Sequence, residues 1–157
     1  MAGRRLLFLA VGLAAMTGLI GCSSEETGPY FEIGGGGFIF NYRIAEATAG
    51  IVVVPKRTLP EGGTLEATFQ NPSGGEPLVM TEKVVSTKKT YDFTTPPLFG
   101  VKAKTDYVMT VQLLDADGKE IFKADKALRS DLDQTVLPSR PLTVGPGYAR
   151  NPDAPLQ

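Results

Sequence analysis

From residue 38 onward the chain alternates apolar and polar side chains with a period of two, and that pattern limits it to antiparallel sheets with one wet face. In Phe38-Ile39-Phe40-Asn41-Tyr42-Arg43-Ile44, the side chains of Phe38, Phe40, Tyr42 and Ile44 fall on one side, with Asn41 and Arg43 on the other. Leu65, Ala67 and Phe69 alternate with Glu66, Thr68 and Gln70. Tyr107, Met109, Val111 and Leu113 alternate in the same way with Thr110 and Gln112. Ile51-Val52-Val53-Val54 is apolar on both faces, as a central strand is, and Pro55 closes it because proline has no N–H for a ladder.

Residues 78–85 and 90–93 read as further, less regular strands. The clearest hairpin joins residues 107–114 to a return strand ending at Arg129. Its turn, Asp115-Ala116-Asp117-Gly118-Lys119, has a glycine where positive φ is needed. Between the apolar runs stand 18 glycines and 12 prolines, as turn punctuation does. Helical periodicity is nearly absent, and residues 42–49 read as a strand end and turn. The expectation is one all-β domain, an antiparallel β-sandwich of about seven or eight strands over residues 30–137.

The N-terminus carries a different message. Arg4 and Arg5 precede an uninterrupted apolar run beginning Leu6-Leu7-Phe8-Leu9, and small residues follow toward Gly21. A cationic start, an apolar middle and a small-residue exit make an export signal. The uncharged stretch 6–21 is shorter than the roughly 20 residues needed to span a bilayer. Its exit, Leu19-Ile20-Gly21-Cys22, resembles the lipobox of bacterial lipoproteins, and Cys22 is the only cysteine of the chain. The resemblance covers residues 1–23. It implies cleavage before Cys22, lipid on the Cys22 thiol, and a mature protein held on a membrane by its acyl chains. Ser23, rather than an aspartate, follows the cysteine, which in such families directs the protein to the periplasmic side of the outer membrane of a Gram-negative host. Residues 1–21 are then the signal peptide, and residues 22–29 a short polar tether.

The hairpin of residues 105–128 resembles the last hairpin of immunoglobulin-like and fibronectin type III-like domains, with Tyr107 in the place of the tyrosine corner. The cysteine pair and tryptophan of antibody-type domains are missing, and an up-and-down or transthyretin-like sandwich fits the same pattern. Residues 138–157 hold Pro138, Pro141, Pro146, Pro152 and Pro155. They read as an extended, partly polyproline II arm lying along the sandwich edge near Leu142 and Val144, or as a disordered tail beyond Tyr148.

Little of the sequence suggests catalysis. The chain has no histidine, which removes the usual general base and the common zinc ligand sets. Asp115 and Asp117 with Asp131 and Asp133 offer carboxylates for a calcium ion or, at a stretch, for acid–base chemistry, but the EF-hand spacing is not met. Such turns are common because aspartate bonds its own backbone. Gly34-Gly35-Gly36-Gly37 lacks the Lys-Ser/Thr and following helix of a phosphate loop and reads as a joint or bulge. The row Phe38, Phe40, Tyr42 reads as core. Lys88, Lys89, Lys102 and Lys104 read as protective charges on loops and edges.

With Arg4 and Arg5 removed, 14 of the 16 basic residues remain against 17 acidic ones, a net charge of −3 that excludes a nucleic-acid footprint. The leading expectation is a non-enzymatic, lipid-anchored module without cofactor. It would bind another envelope protein through a sheet edge or through the arm at Leu142, Val144 and Tyr148. A periplasmic carrier of a small ligand or calcium is the alternative.

Overall fold

Each alternating run becomes a strand in the computed structural model, which describes residues 27–154. The strands are β1 (Phe31–Asn41), β2 (Glu46–Pro55), β3 (Thr64–Phe69), β4 (Leu78–Lys83), β5 (Tyr91–Thr94), β6 (Asp106–Leu114) and β7 (Glu120–Arg129). They form two antiparallel sheets, one ordered β1-β2-β5 and the other β4-β3-β6-β7. Two short strands, β8 (Thr143–Val144) and β9 (Ala149–Arg150), form a separate hairpin. Among the described residues the only helix is one 3-10 turn, Gln134–Val136. The fold is an all-β, antiparallel sandwich.

The inward faces are those the alternation selects. Ala47, Ala49, Ile51 and Val53 of β2 meet Leu65, Ala67 and Phe69 of β3 and Tyr107, Met109, Val111 and Leu113 of β6 in one buried cluster. Burying each larger side chain stabilises the fold by roughly 1.5–3 kcal/mol. Phe38 crosses between the sheets, edge-on to Phe69 (6.1 Å between ring centres) and to Tyr107 (5.6 Å). As expected, β2 is the central strand of its sheet, paired on one side with β1 and on the other with β5.

The glycine run behaves as a bulge and not as a joint. β1 continues through residues 34–37, with a register shift between Ile33 and Gly35. Backbone pairing to β2 carries the strand where side chains are missing. At Gly36 a Cβ would lie 2.7 Å from Ile51 Cγ2, 2.8 Å from the Gly50 carbonyl oxygen and 3.1 Å from Leu128 Cδ2. Only glycine lets β1 settle against β2 and the start of the facing sheet there.

Two expectations need correction. Tyr42 and Ile44 do not extend the inward row of Phe38 and Phe40, because β1 ends at Asn41. The Asn41 side chain accepts the Arg43 N–H (3.1 Å), a local turn that competes with the ladder and wins. Tyr42 is left exposed. The proline-rich segment is not an extended arm either. Its backbone reverses at residues 145–148, where the Tyr148 N–H bonds the Gly145 carbonyl (3.2 Å), and folds back as the β8–β9 hairpin. The Asn151 amide closes it by donating to the Pro141 carbonyl (2.7 Å). The hairpin docks on the β1–β2 turn, where the Thr143 N–H and hydroxyl both donate to the Arg43 carbonyl, at 3.0 and 3.2 Å. Ordered structure therefore continues past residue 137 and past Tyr148.

Candidate functional site

Strand β1 connects the two ends of the sandwich. At about 3.3 Å per residue its eleven residues span roughly 35 Å. The tether residues enter at Tyr30, at one end. The β1–β2 turn and the docked C-terminal hairpin lie at the other.

At the far end the exposed groups are aromatic, aliphatic and cationic. Tyr42, Val144 and Tyr148 are all exposed, and the Arg43 guanidinium lies 4.9 Å from the centre of the Tyr148 ring. Tyr148 has φ = 52°, a left-handed conformation that a bulky side chain rarely adopts. Such a conformation costs on the order of 1 kcal/mol, and here it holds a large ring out in solvent. Leu142, the third residue expected on the arm, is half-buried under the hairpin.

The four aspartates are divided between the two ends. Asp115 and Asp117 lie in the β6–β7 turn at the tether end. There Asp115 Oδ1 accepts the N–H groups of Asp117 (3.0 Å) and Lys119 (2.9 Å), and Gly118 takes φ = 82°. Asp131 and Asp133 follow β7 at the opposite end. Asp133 Oδ1 caps the 3-10 turn by accepting the Thr135 N–H (3.2 Å) and hydroxyl (3.0 Å), and these bonds hold its carboxyl below the usual carboxylate range. Ten residues of β7 separate the pairs, about 33 Å. Among the described residues no three carboxylate, thiol or imidazole side chains are grouped as metal ligands. The aspartates expected to share an ion or a proton are used instead in turns. Leu19, Ile20, Gly21 and Cys22 lie outside the described residues.

The same end holds one more structured loop. The Gln134 side chain donates to the Leu98 carbonyl (2.6 Å) and accepts the Val101 N–H (3.1 Å). The Tyr107 hydroxyl accepts the Lys102 N–H (2.9 Å), the bond that a tyrosine corner makes.

Sequence reasoning missed a basic cavity at the tether end. It has a volume of about 250 Å³ and includes Lys56, Arg57, Lys88 and Lys89 in its lining, with no acidic side chain there. The antiparallel pairing of Val53 with Tyr91 brings the end of β2 beside the start of β5, and with them the two cationic pairs. Lys56 is ion-paired with Glu32, and Lys88 with Glu82. The Arg57 guanidinium stacks 3.5 Å from the centre of the Tyr30 ring. The Tyr91 hydroxyl accepts the Val85 N–H (3.0 Å) and donates to the Val85 carbonyl (3.1 Å), fixing the loop that carries the two lysines.

The sequence matches no protein-family model and no curated protein. Among solved structures it is similar to a family 76 glycoside hydrolase from a bovine Bacteroides thetaiotaomicron strain, at 13% identity and a TM-score of 0.40 over 62% of this chain. It is also similar to a calcium-binding mutant of Bacteroides uniformis β-glucuronidase 2, at 13% identity and a TM-score of 0.42 over 62% of this chain. The matched parts are 20% and 15% of those longer chains.

Proposed function

We propose that this chain is a lipid-anchored envelope lipoprotein and that its immunoglobulin-like sandwich is a non-enzymatic module binding another envelope protein. The lipobox-like Leu19-Ile20-Gly21-Cys22 at the exit of a complete export signal supports the anchor. The three-on-four strand arrangement and the Tyr107 hydroxyl bond support the immunoglobulin-like assignment. Ser23 favours the periplasmic side of the outer membrane.

The observation that carries the binding role is the exposed group of Tyr42, Arg43, Val144 and Tyr148 at the end remote from the tether. Tyrosine and arginine dominate the energetics of many protein interfaces, and a rigid, half-strained tyrosine loses little entropy on binding. The partner surface is thus a docked hairpin and not a loose arm.

Cross-linking of the intact lipoprotein in cells, followed by mass spectrometry, tests this reading. A Val144→Asp/Tyr148→Ser double variant is expected to lose its main cross-linked protein, while Val79→Asp on the exposed face of β4 keeps it. Identical cross-linked sets for all three would refute the role of the far end.

A further inference from the structure

We propose that the basic cavity at the tether end holds the phosphate of an anionic phospholipid headgroup, so that the lipoprotein sits on its membrane in a fixed orientation. The proposal rests on the lipid anchor argued above. Three observations lead to it.

The first is position. Tyr30, the residue through which the tether enters β1, forms part of the cavity's support. Its carbonyl accepts the Lys56 N–H (2.9 Å), and its ring carries Arg57. An eight-residue tether reaches at most about 29 Å when fully extended. A slack tether brings this end of the sandwich to headgroup depth, and no other end can arrive first.

The second is charge. The domain as a whole is acidic, which argues against a general attraction to anionic lipid, yet this cavity is locally cationic. The acidic partners Glu32 and Glu82 neutralise one lysine of each pair from outside the lining. Lys89 has no carboxylate within 4.0 Å among the described residues. Arg57 offers a planar set of donors suited to phosphate oxygens. The surplus charge lies where an anion can reach it, at the mouth between the two pairs.

The third is order. Phosphate sites built from lysine alone are weakened by the entropy of long side chains. Here Lys88 lies 4.9 Å from the centre of the Tyr91 ring, and the Lys88 N–H bonds the Val85 carbonyl (2.9 Å). The loop is therefore already shaped, and exposed Val85 on its rim offers a small apolar contact beside the charges.

The experiment uses the lipidated protein purified from membranes and reconstituted into vesicles of either phosphatidylglycerol or phosphatidylcholine. An amine-reactive acylating reagent is applied, and labelling of each lysine is read by mass spectrometry. Labelling of Lys88 and Lys89 is expected to fall about threefold or more in phosphatidylglycerol and to recover in high salt, because surface attraction is screened within a Debye length. Lys102 and Lys104, at the opposite end, should label equally in both vesicles and serve as the internal standard. A Lys88→Glu variant should abolish the protection of Lys89, with unchanged Lys102 labelling reporting an intact fold.

Equal labelling of Lys88 and Lys89 in the two vesicles overturns the proposal. So does protection by soluble glycerol phosphate in phosphatidylcholine vesicles with none in phosphatidylglycerol, which would make the site one for a free phosphorylated ligand. The mass of the mature N-terminus separates this failure from that of the anchor. A bare Cys22 thiol removes both readings, whereas equal labelling of a chain shown to be lipidated removes this one alone.

Discussion

Gly36 and its neighbour Gly37 have opposite surroundings, although they are identical in the sequence. A methyl group at Gly36 would press on the Gly50 carbonyl and on Ile51, while one at Gly37 would meet nothing within 4 Å. Gly36→Ala is therefore expected to destabilise the fold by about 1–3 kcal/mol, the usual cost of overpacking. Gly37→Ala should be neutral or stabilise by up to about 1 kcal/mol through reduced freedom of the unfolded chain. Urea unfolding of both variants checks the contrast. Tyr107→Phe removes only the hydroxyl that receives the Lys102 N–H, and should cost about 1–2 kcal/mol in the same assay. The exposed pair Asp106–Arg129 makes two hydrogen bonds of 2.6 Å, and these hold the Asp106 carboxyl below its ordinary value of 3.8. Because the folded value is the lower one, the unfolded chain takes up the proton first as the solution is acidified. The pair's contribution is then complete above about pH 4 and fades as pH falls through the folded value. Asp106→Asn should flatten the acid side of the stability profile, measured as the urea midpoint between pH 5 and 2.5.

Among the elements, the strands were legible because burial on one face leaves a period of two in the residues themselves. Leu65, Ala67 and Phe69, like Tyr107 through Leu113, lie inward as that period requires. The β6–β7 turn was legible for a similar local reason, since Gly118 and Asp115 sit within a few residues of the backbone they serve. The C-terminal hairpin was not. Five prolines indicate extended backbone, but the bonds that reverse the chain join Asn151 to Pro141 and Thr143 to Arg43, and nothing local marks those partners. Asn151→Ala is expected to release the hairpin, because it leaves the Pro141 carbonyl without its donor. Amide exchange of Asn151 and Thr143 should then accelerate by tenfold or more, about 1.4 kcal/mol of lost protection, while β3 and β6 remain protected. The basic cavity was hidden for the same reason. Lys56 and Arg57 are remote in sequence from Lys88 and Lys89, and only the pairing of β2 with β5 makes them neighbours. The division of Asp115 and Asp117 from Asp131 and Asp133 by the length of β7 was equally a matter of which end each turn reaches.

At the scale of the whole molecule, the tether enters at one end and the docked hairpin closes the other. The single strand β1 links them and is paired along its length to β2, from Phe31 opposite Pro55 to Asn41 opposite Glu46. If a partner gripped the far end while acyl chains gripped the bilayer, tension would run parallel to that strand. The ladder between β1 and β2 would then be loaded in shear, with its hydrogen bonds sharing the pull together instead of opening one after another like a zip. A sandwich threaded in this direction is suited to withstand traction between a membrane and whatever is fastened to its outer tip.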